Sequence, residues 1–359
     1  MQRNGRSLDP RPDVTKVDWR SRVRETVGPL KYPERNLCAP AGGVALKVSV
    51  CLLTYNHDHL IAKVLESILA QTYRDFELIV SDDCSTDGTW ELIQRIAQND
   101  PRARPVRTPR NLGMAGNANF AIGLSRGEFV ALLHHDDLVA PTLLAEWVRV
   151  AEEHPSVGFV FNDYATGSPF DHKKLLLKRI MPGQWFLSHQ LLARWGCLVR
   201  GTALIRRACF HAVGGMNERF SYLADVDLWM RLAARWDVGY VAKGLISVRH
   251  DRKAGYPREY VEFTWHRLRL LHEIHGTNLQ SQQKTLGRYA ALRWAIFRVK
   301  VSFDELKWVG YAVVKRKWWM IQTSEEGIGR YEYRIVGIVR WVVSRVVERL
   351  RLGGRSQAC

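Results

Sequence analysis

The stretch Val130–Pro141 reads VALLHHDDLVAP. With Phe129 ahead of it, Val130, Ala131, Leu132 and Leu133 form an uninterrupted apolar run, the pattern of a strand buried on both faces of a parallel or mixed sheet. His134, His135, Asp136 and Asp137 follow where such a strand stops. Carboxylates at the C-terminal end of a buried strand lie where open α/β sheets bind ligands, and they supply the charged oxygens that hard cations require. The same residues read equally well as a solvated turn, with Asp137 or Thr142 capping a helix that starts after Pro141. The surrounding sequence has to choose.

Upstream, strands and helices alternate. A buried strand through Val48, Val50, Leu52 and Leu53 ends at Thr54, Tyr55 and Asn56. Leu60, Ile61, Val64, Leu65, Ile68 and Leu69 have helical spacing and predict a helix over 60–71. Phe76, Leu78, Ile79 and Val80 form a second strand that ends at Ser81, Asp82 and Asp83, and Asp87 caps a helix over 90–97. A short strand at 105–108, the loop RNLGMAGNAN and a helix over 115–125 lead back to the opening stretch. This alternation predicts a doubly wound sheet with right-handed crossovers. Its strand ends at 54–56, 81–83 and 134–137 then share one edge and surround one crevice.

Downstream, a helix over 142–153 and a strand at 157–161 come first. Residues 164–200 carry the basic run Lys173, Lys174, Lys178, Arg179 and no readable element. TALIRRACFHAVGGMNERF reads as strand, short helix and Gly-Gly turn, and a helix with an apolar face starts at the Asp225/Asp227 pair. Strand-like GYVAKGLISVRHD ends in Arg249 and His250. Three parts result: a polar, Arg- and Pro-rich arm over 1–45, an α/β domain over 46–254, and a basic, Trp-rich helical region over 255–359.

At 46% hydrophobic the chain supports a substantial core, and its net charge of +17 calls for an anionic partner: nucleic acid, a membrane surface or a phosphorylated small molecule. From Tyr256 onward 19 Lys and Arg face 9 Asp and Glu, an excess of 10 positive charges. There Trp308, Trp318 and Trp319 surround Lys315-Arg316-Lys317, a composition suited either to an anionic membrane surface or to packing on the core with the charges in water. The six cysteines include no CxxC pair, which favours a reduced, cytoplasmic setting. The first residues lack an apolar signal core, and no stretch reaches the roughly 18 apolar residues of a membrane span.

VSVCLLTYNHDHLIAKVLESILAQTYRDFELIVSDDCSTDGT, the HHDD stretch, GGMNERFSYLADVDLWMRL and the VRH end together resemble the family 2 glycosyltransferases of the GT-A fold, over about residues 47–250. The resemblance implies a doubly wound, mixed but mostly parallel GT-A sheet flanked by helices, here with a C-terminal helical extension. It also implies an inverting, non-processive transfer from a nucleotide-sugar donor to a saccharide or lipid-linked acceptor, in cell-surface polysaccharide or glycolipid synthesis. The setting it implies is cytoplasmic, peripheral on the inner face of a membrane, with no nucleic-acid partner.

The resemblance also assigns residues. Asp225 matches the catalytic base, and Asp83 the position that binds the base of the nucleotide. Thr54, Asn56 and Asn111 fall on the donor wall, where they read equally as loop scaffold. Asp136 and Asp137 match the acidic metal motif, with Asp137 on a divalent cation (Mn or Mg) and Asp136 toward ribose or a metal-bound water; His250 matches a C-terminal metal ligand. An acceptor hydroxyl is a poor nucleophile until its proton leaves, and a carboxylate facing a cleft can take it. His134 stands where the commoner pattern has Asp, and Ala224 where it has Glu. These departures motivate a rival reading, a decayed glycan- or membrane-binding scaffold. A sugar nucleotidyltransferase would need a Gly-rich phosphate loop, and TYNHDHL is not one. Gln190, Arg194 and Trp195 resemble the QxxRW motif of processive synthases, but the spacing is one residue too long and the stretch precedes the base motif.

Overall fold

A computed structural model of the chain describes residues 46–166, 177–193, 198–248 and 265–282, with isolated positions from 285 to 303. The arm over 1–45, Lys173 and Lys174, Arg194 and Trp195, His250 and the Trp-rich segment beyond 303 lie outside the described residues.

The elements follow the expected alternation: β1 (Val48–Thr54), α1 (Asp58–Leu69), β2 (Phe76–Asp82), α2 (Thr89–Ala97), β3 (Ala103–Arg107), α3 (Gly113–Gly123) and β4 (Phe129–His134). Next come β5 (Asp137–Val139), α4 (Leu143–Glu153), β6 (Val157–Thr166) and β7 (Ile180–Met181). A helical turn, Gly183–Phe186, runs on as a π-helix, Leu187–Leu191. β8 (Ala203–Arg206), α5 (Arg207–Ala212), a 3-10 turn (Glu218–Leu223), α6 (Ala224–Ala233), β9 (Asp237–Val248) and α7 (Trp265–Ser281) complete the described order.

The strands form one nine-stranded sheet in the order β3-β2-β1-β4-β8-β6-β9-β5, with β7 also on β9. β1 pairs in parallel with β2 and β4, β2 with β3, and β6 with β9. β8, β5 and β7 run antiparallel to their neighbours, so six of the nine strands share one direction. Successive side chains alternate faces, and the core divides accordingly. Val48, Val50 and Leu52 pack with Ile61, Val64, Leu65 and Ile68 of α1 and Trp147 of α4, whereas Cys51 and Leu53 join α3, Trp229 of α6, and Leu270 and Ile274 of α7 on the other face. Both faces are covered, which explains why β1, β2 and β4 read as continuous apolar runs.

α7 belongs to this core. Asn278 Nδ2 donates to the buried Asp227 Oδ1 of α6 at 2.8 Å, and Arg219 of the 3-10 turn pairs with Glu273. Among the described residues Cys51, Cys84 and Cys209 are free thiols, and no helix is long and apolar enough to cross a membrane.

Candidate active site

The parallel registers bring the predicted strand ends together: Thr54 is the Cα partner of Asp82, and Leu53 of His134. Asn56 takes left-handed backbone (φ 55°), and its Oδ1 accepts from Thr86 N at 2.8 Å, clamping the loop after β1 to the loop after β2. Of the two readings of Asn56, the scaffold role is therefore visible. Thr54 is buried, and its hydroxyl has no partner among the described residues.

Asp82, the last residue of β2, is enclosed and paired with Arg107 at 3.1 Å. Asp83 is buried too. Its Oδ1 accepts from Leu112 N (2.8 Å) and Thr108 Oγ1 (2.9 Å), and its Oδ2 from Gly113 N (2.8 Å). Burial raises the Asp83 carboxyl above its ordinary range despite these bonds. Asp83 thus fixes the N-terminal end of α3, a task that its sequence neighbours do not reveal. Asn111 Oδ1 accepts from Gly113 N at 3.1 Å in the same loop.

The HHDD stretch divides at a turn. His134 ends β4, His135 and Asp136 form the turn, and Asp137 starts β5. His135 Nδ1 hydrogen-bonds the Leu53 carbonyl at 3.2 Å, and its ring lies 3.5 Å, centroid to centroid, from His57. Burial pushes the His135 imidazole down to about 3, so it is neutral. The bond to a carbonyl requires the proton on Nδ1. Asp137 is buried, and Thr202 Oγ1 donates to its Oδ2 at 3.4 Å. Burial, reinforced by the charge of Asp136, pushes the Asp137 carboxyl up to about 8.

Asp225 lies in the first turn of α6, partly accessible, with Val226 N donating to its Oδ1 at 2.8 Å. Burial pushes it up to about 6, while its bond from Val226 and the charges of Arg200 and Arg267 oppose the rise. Asp227 in the same turn bonds Arg231 Nε (2.7 Å) and Asn278, a structural role.

Between the two acidic groups runs the segment Leu198–Thr202, which no motif in the sequence picks out. Arg200 (φ 49°) and Gly201 (φ 75°) both take left-handed backbone. The His134 ring hydrogen-bonds the Gly201 backbone. A Cβ on Gly201 would lie 2.7 Å from His134 Nε2 and 3.2 Å from Asp225 Oδ2. The HHDD motif and Asp225 therefore face one another across a glycine backbone. Arg200, whose guanidinium lies over Tyr164 (5.8 Å), places its charge where it acts on His134, Asp137 and Asp225. The one local signal here is Gly201, since glycine alone takes such backbone without steric cost.

The residues present fit a divalent cation. Asp136 and Asp137 are adjacent carboxylates whose mutual repulsion and burial a cation would relieve. Among the described residues no group of three or more His, Cys, Asp or Glu is gathered as a ready cage. His250 lies outside the described residues; Val248, two residues before it, is the Cα partner of Asp137.

Residues 49–214 match the family model for glycosyl transferase family 2. The putative glycosyltransferase EpsE of Bacillus subtilis (strain 168) is 30% identical over 219 residues, covering 60% of this chain and 77% of EpsE. The chain belongs to glycosyltransferase family 2. A UDP-Glc:alpha-D-GlcNAc-diphosphoundecaprenol beta-1,3-glucosyltransferase, WfaP of Escherichia coli, is 26% identical over 52% of this chain and 70% of its own length. An uncharacterized Sinorhizobium fredii protein, y4gI, is 32% identical over 213 residues, and the chain spans 22% of its length. The mannosyltransferase PcManGT of Pyrobaculum calidifontis, solved with GDP-Man and Mn2+, shares the fold with a TM-score of 0.53 at 18% identity, covering 88% of this chain and 89% of that one. The mixed, mostly parallel sheet flanked by helices is the expected GT-A architecture, and the chain is a glycosyltransferase by class.

Proposed function

We propose that the chain transfers a single sugar, with inversion, from a nucleotide-sugar donor to a saccharide or lipid-linked acceptor, in cell-surface polysaccharide or glycolipid synthesis. The observation that carries the reading is the opposition of Asp225 and the HHDD turn across Gly201, at the edge where β1, β2 and β4 end. Asp225 takes the proton of the acceptor hydroxyl as that oxygen attacks the sugar from the side opposite the departing diphosphate. A carboxyl pushed up to about 6 is ionised at neutral pH and still basic enough for the task.

Asp137, Asp136 and His250 would hold a divalent cation, Mn or Mg. When bound, the cation supplies neutralising charge to the leaving nucleotide. Arg200 adds fixed positive charge that acts on both Asp137 and Asp225. Thr54, Asn56, Asp83 and Asn111 form the donor wall. Asp83 already accepts three hydrogen bonds, and a carboxylate offers about four lone-pair sites, so about one is left for a base N–H. The WfaP and PcManGT names support UDP- and GDP-linked donors, and WfaP a diphosphate-lipid acceptor. Such an acceptor sets the work in the cytoplasm, at the inner face of a membrane.

Asp225→Asn tests the assignment. Donor-induced thermal shift, scanned over UDP- and GDP-sugars with Mn or Mg, should persist, while turnover falls about 10²- to 10⁴-fold. Near-normal turnover would remove Asp225 from the chemistry. Donor binding by the parent chain without transfer or hydrolysis, under any cation, would favour the scaffold reading that His134 and Ala224 raise.

A further inference from the structure

The two residues after Arg200 meet the acids of the site. Gly201 lies where a Cβ would come 2.7 Å from His134 Nε2 and 3.2 Å from Asp225 Oδ2, and Thr202 Oγ1 donates to Asp137 Oδ2 at 3.4 Å. The residue before Arg200 is held from β6, where Tyr164 Oη donates to the Val199 carbonyl at 2.8 Å. The half-buried Arg200 side chain lies over the same tyrosine, its guanidinium 5.8 Å from the ring centroid. A cation is thus held beside both the HHDD turn and Asp225, and its charge acts on His134, Asp137 and Asp225.

Two features of this arrangement run against the protein's own interest unless a ligand uses them. Arg200 takes left-handed backbone (φ 49°), which is disfavoured for any residue with a Cβ and persists only where the surroundings fix it. A fixed cation beside a general base also lowers the base's affinity for the proton it has to accept. A guanidinium in this place is suited to one chemistry in particular. It is planar, always charged, and matches two oxygens of a phosphate at once. With five N–H donors it can keep a partner in the protein and still hold phosphate oxygens.

We propose that Arg200 is a diphosphate-binding residue, whose guanidinium takes phosphate oxygens of a substrate held between the HHDD turn and Asp225. The proposal rests on the transferase reading above, in which a nucleotide-sugar donor and a lipid-linked acceptor can each bring a diphosphate. On the donor, Arg200 neutralises charge on the departing nucleotide alongside the cation. On the acceptor, it seats the diphosphate beside the base, and the bound anion offsets the charge that otherwise opposes proton uptake by Asp225.

The test is equilibrium titration of the full chain with UDP, GDP and the matching nucleosides in Mn, joined to acceptor kinetics. Arg200→Gln should weaken whichever nucleoside diphosphate the parent prefers about 10- to 100-fold and leave the affinity for the nucleoside at the parental value. Arg200→Lys should recover part of the loss. Arg200→Gly, which suits left-handed backbone, should reproduce Arg200→Gln and guards against a misfolded variant. Parental nucleotide affinity together with a KM raised about tenfold for a diphosphate-lipid acceptor, and not for its phosphate-free analogue, would make the diphosphate the acceptor's. Parental values on both arms in Arg200→Gln and Arg200→Gly would overturn the proposal and leave the transferase reading standing. Equal loss of nucleoside and nucleotide would also overturn it, by making Arg200 part of the scaffold. A parent that binds neither nucleotide would remove the transferase reading and this proposal with it.

Discussion

Asp225 and Asp137 are both pushed upward by burial, and the two shifts have separate consequences. For Asp225 the consequence is kinetic. Below about pH 6 it holds its own proton and cannot accept one, so kcat should fall on the acid side with an apparent pKa near 6. Residual turnover of Asp225→Asn should lack that limb, and a limb that survives the substitution would belong to another group. For Asp137 the consequence is thermodynamic. An unfolded Asp titrates near pH 4 and the folded group near 8, so across that interval the unfolded chain releases the proton first. The contribution of Asp137 to stability without metal is therefore fullest below about pH 4 and declines as pH rises toward 8. Asp137→Asn should raise Tm by a few degrees at pH 8 in EDTA, of order 1–3 kcal/mol, and do little at pH 4. The same variant should lose the Mn-induced Tm shift, which in the parent should strengthen from pH 6 to pH 8 as the carboxylate ionises. An Mn shift of parental size in Asp137→Asn would remove this residue from the cation site.

Among the elements, α7 packs on α6. Asp227 is buried and divides its oxygens between Arg231 and Asn278. Asn278→Ala should cost about 1–2 kcal/mol in urea unfolding, because a buried carboxylate oxygen loses its donor. An unchanged midpoint would mean that α7 does not unfold with the domain. Leu270 and Ile274 of α7 lie in the same apolar cluster as Trp229 of α6.

Legibility followed burial. β1, β2 and β4 are covered on both faces, so unbroken apolar runs announced them, and their parallel order put three strand ends on one edge as the alternation required. The helix start at Asp225 was legible because two acids and an apolar face follow a Gly-Gly turn, whereas the role proposed for Asp225 came from the family resemblance. β5 was not, since three residues carry no period and its pairing with β9 comes from over 100 residues away. Arg200 and Gly201 were hidden for a related reason: their place is set by His134, Asp137, Tyr164 and Asp225, none of them a sequence neighbour. The Asp83 bonds to Leu112 and Gly113 likewise join loops that only the fold brings together.

At the scale of the molecule, β4 and β5 are two residues apart in the chain, yet β8, β6 and β9 stand between them in hydrogen-bond order. Those five strands make a loop of pairings that the peptide closes at His135–Asp136. The HHDD turn thus joins the two ends of that band of strands. The irregular stretch of the band is β6 against β9, where the register shifts between Asn162 and Thr166 and a Cβ on Gly244 would come within 3.0 Å of Ala165 Cα. Gly244→Val should therefore weaken Mn binding, read as a smaller Mn-induced Tm shift than the parent's, although residue 244 lies outside the motif; an unaltered shift would mean that the band yields locally. On this view the affinity of the proposed cation site would be a property of the circuit of strands that the HHDD turn closes, and substitutions that tune it could sit on strands far from the motif.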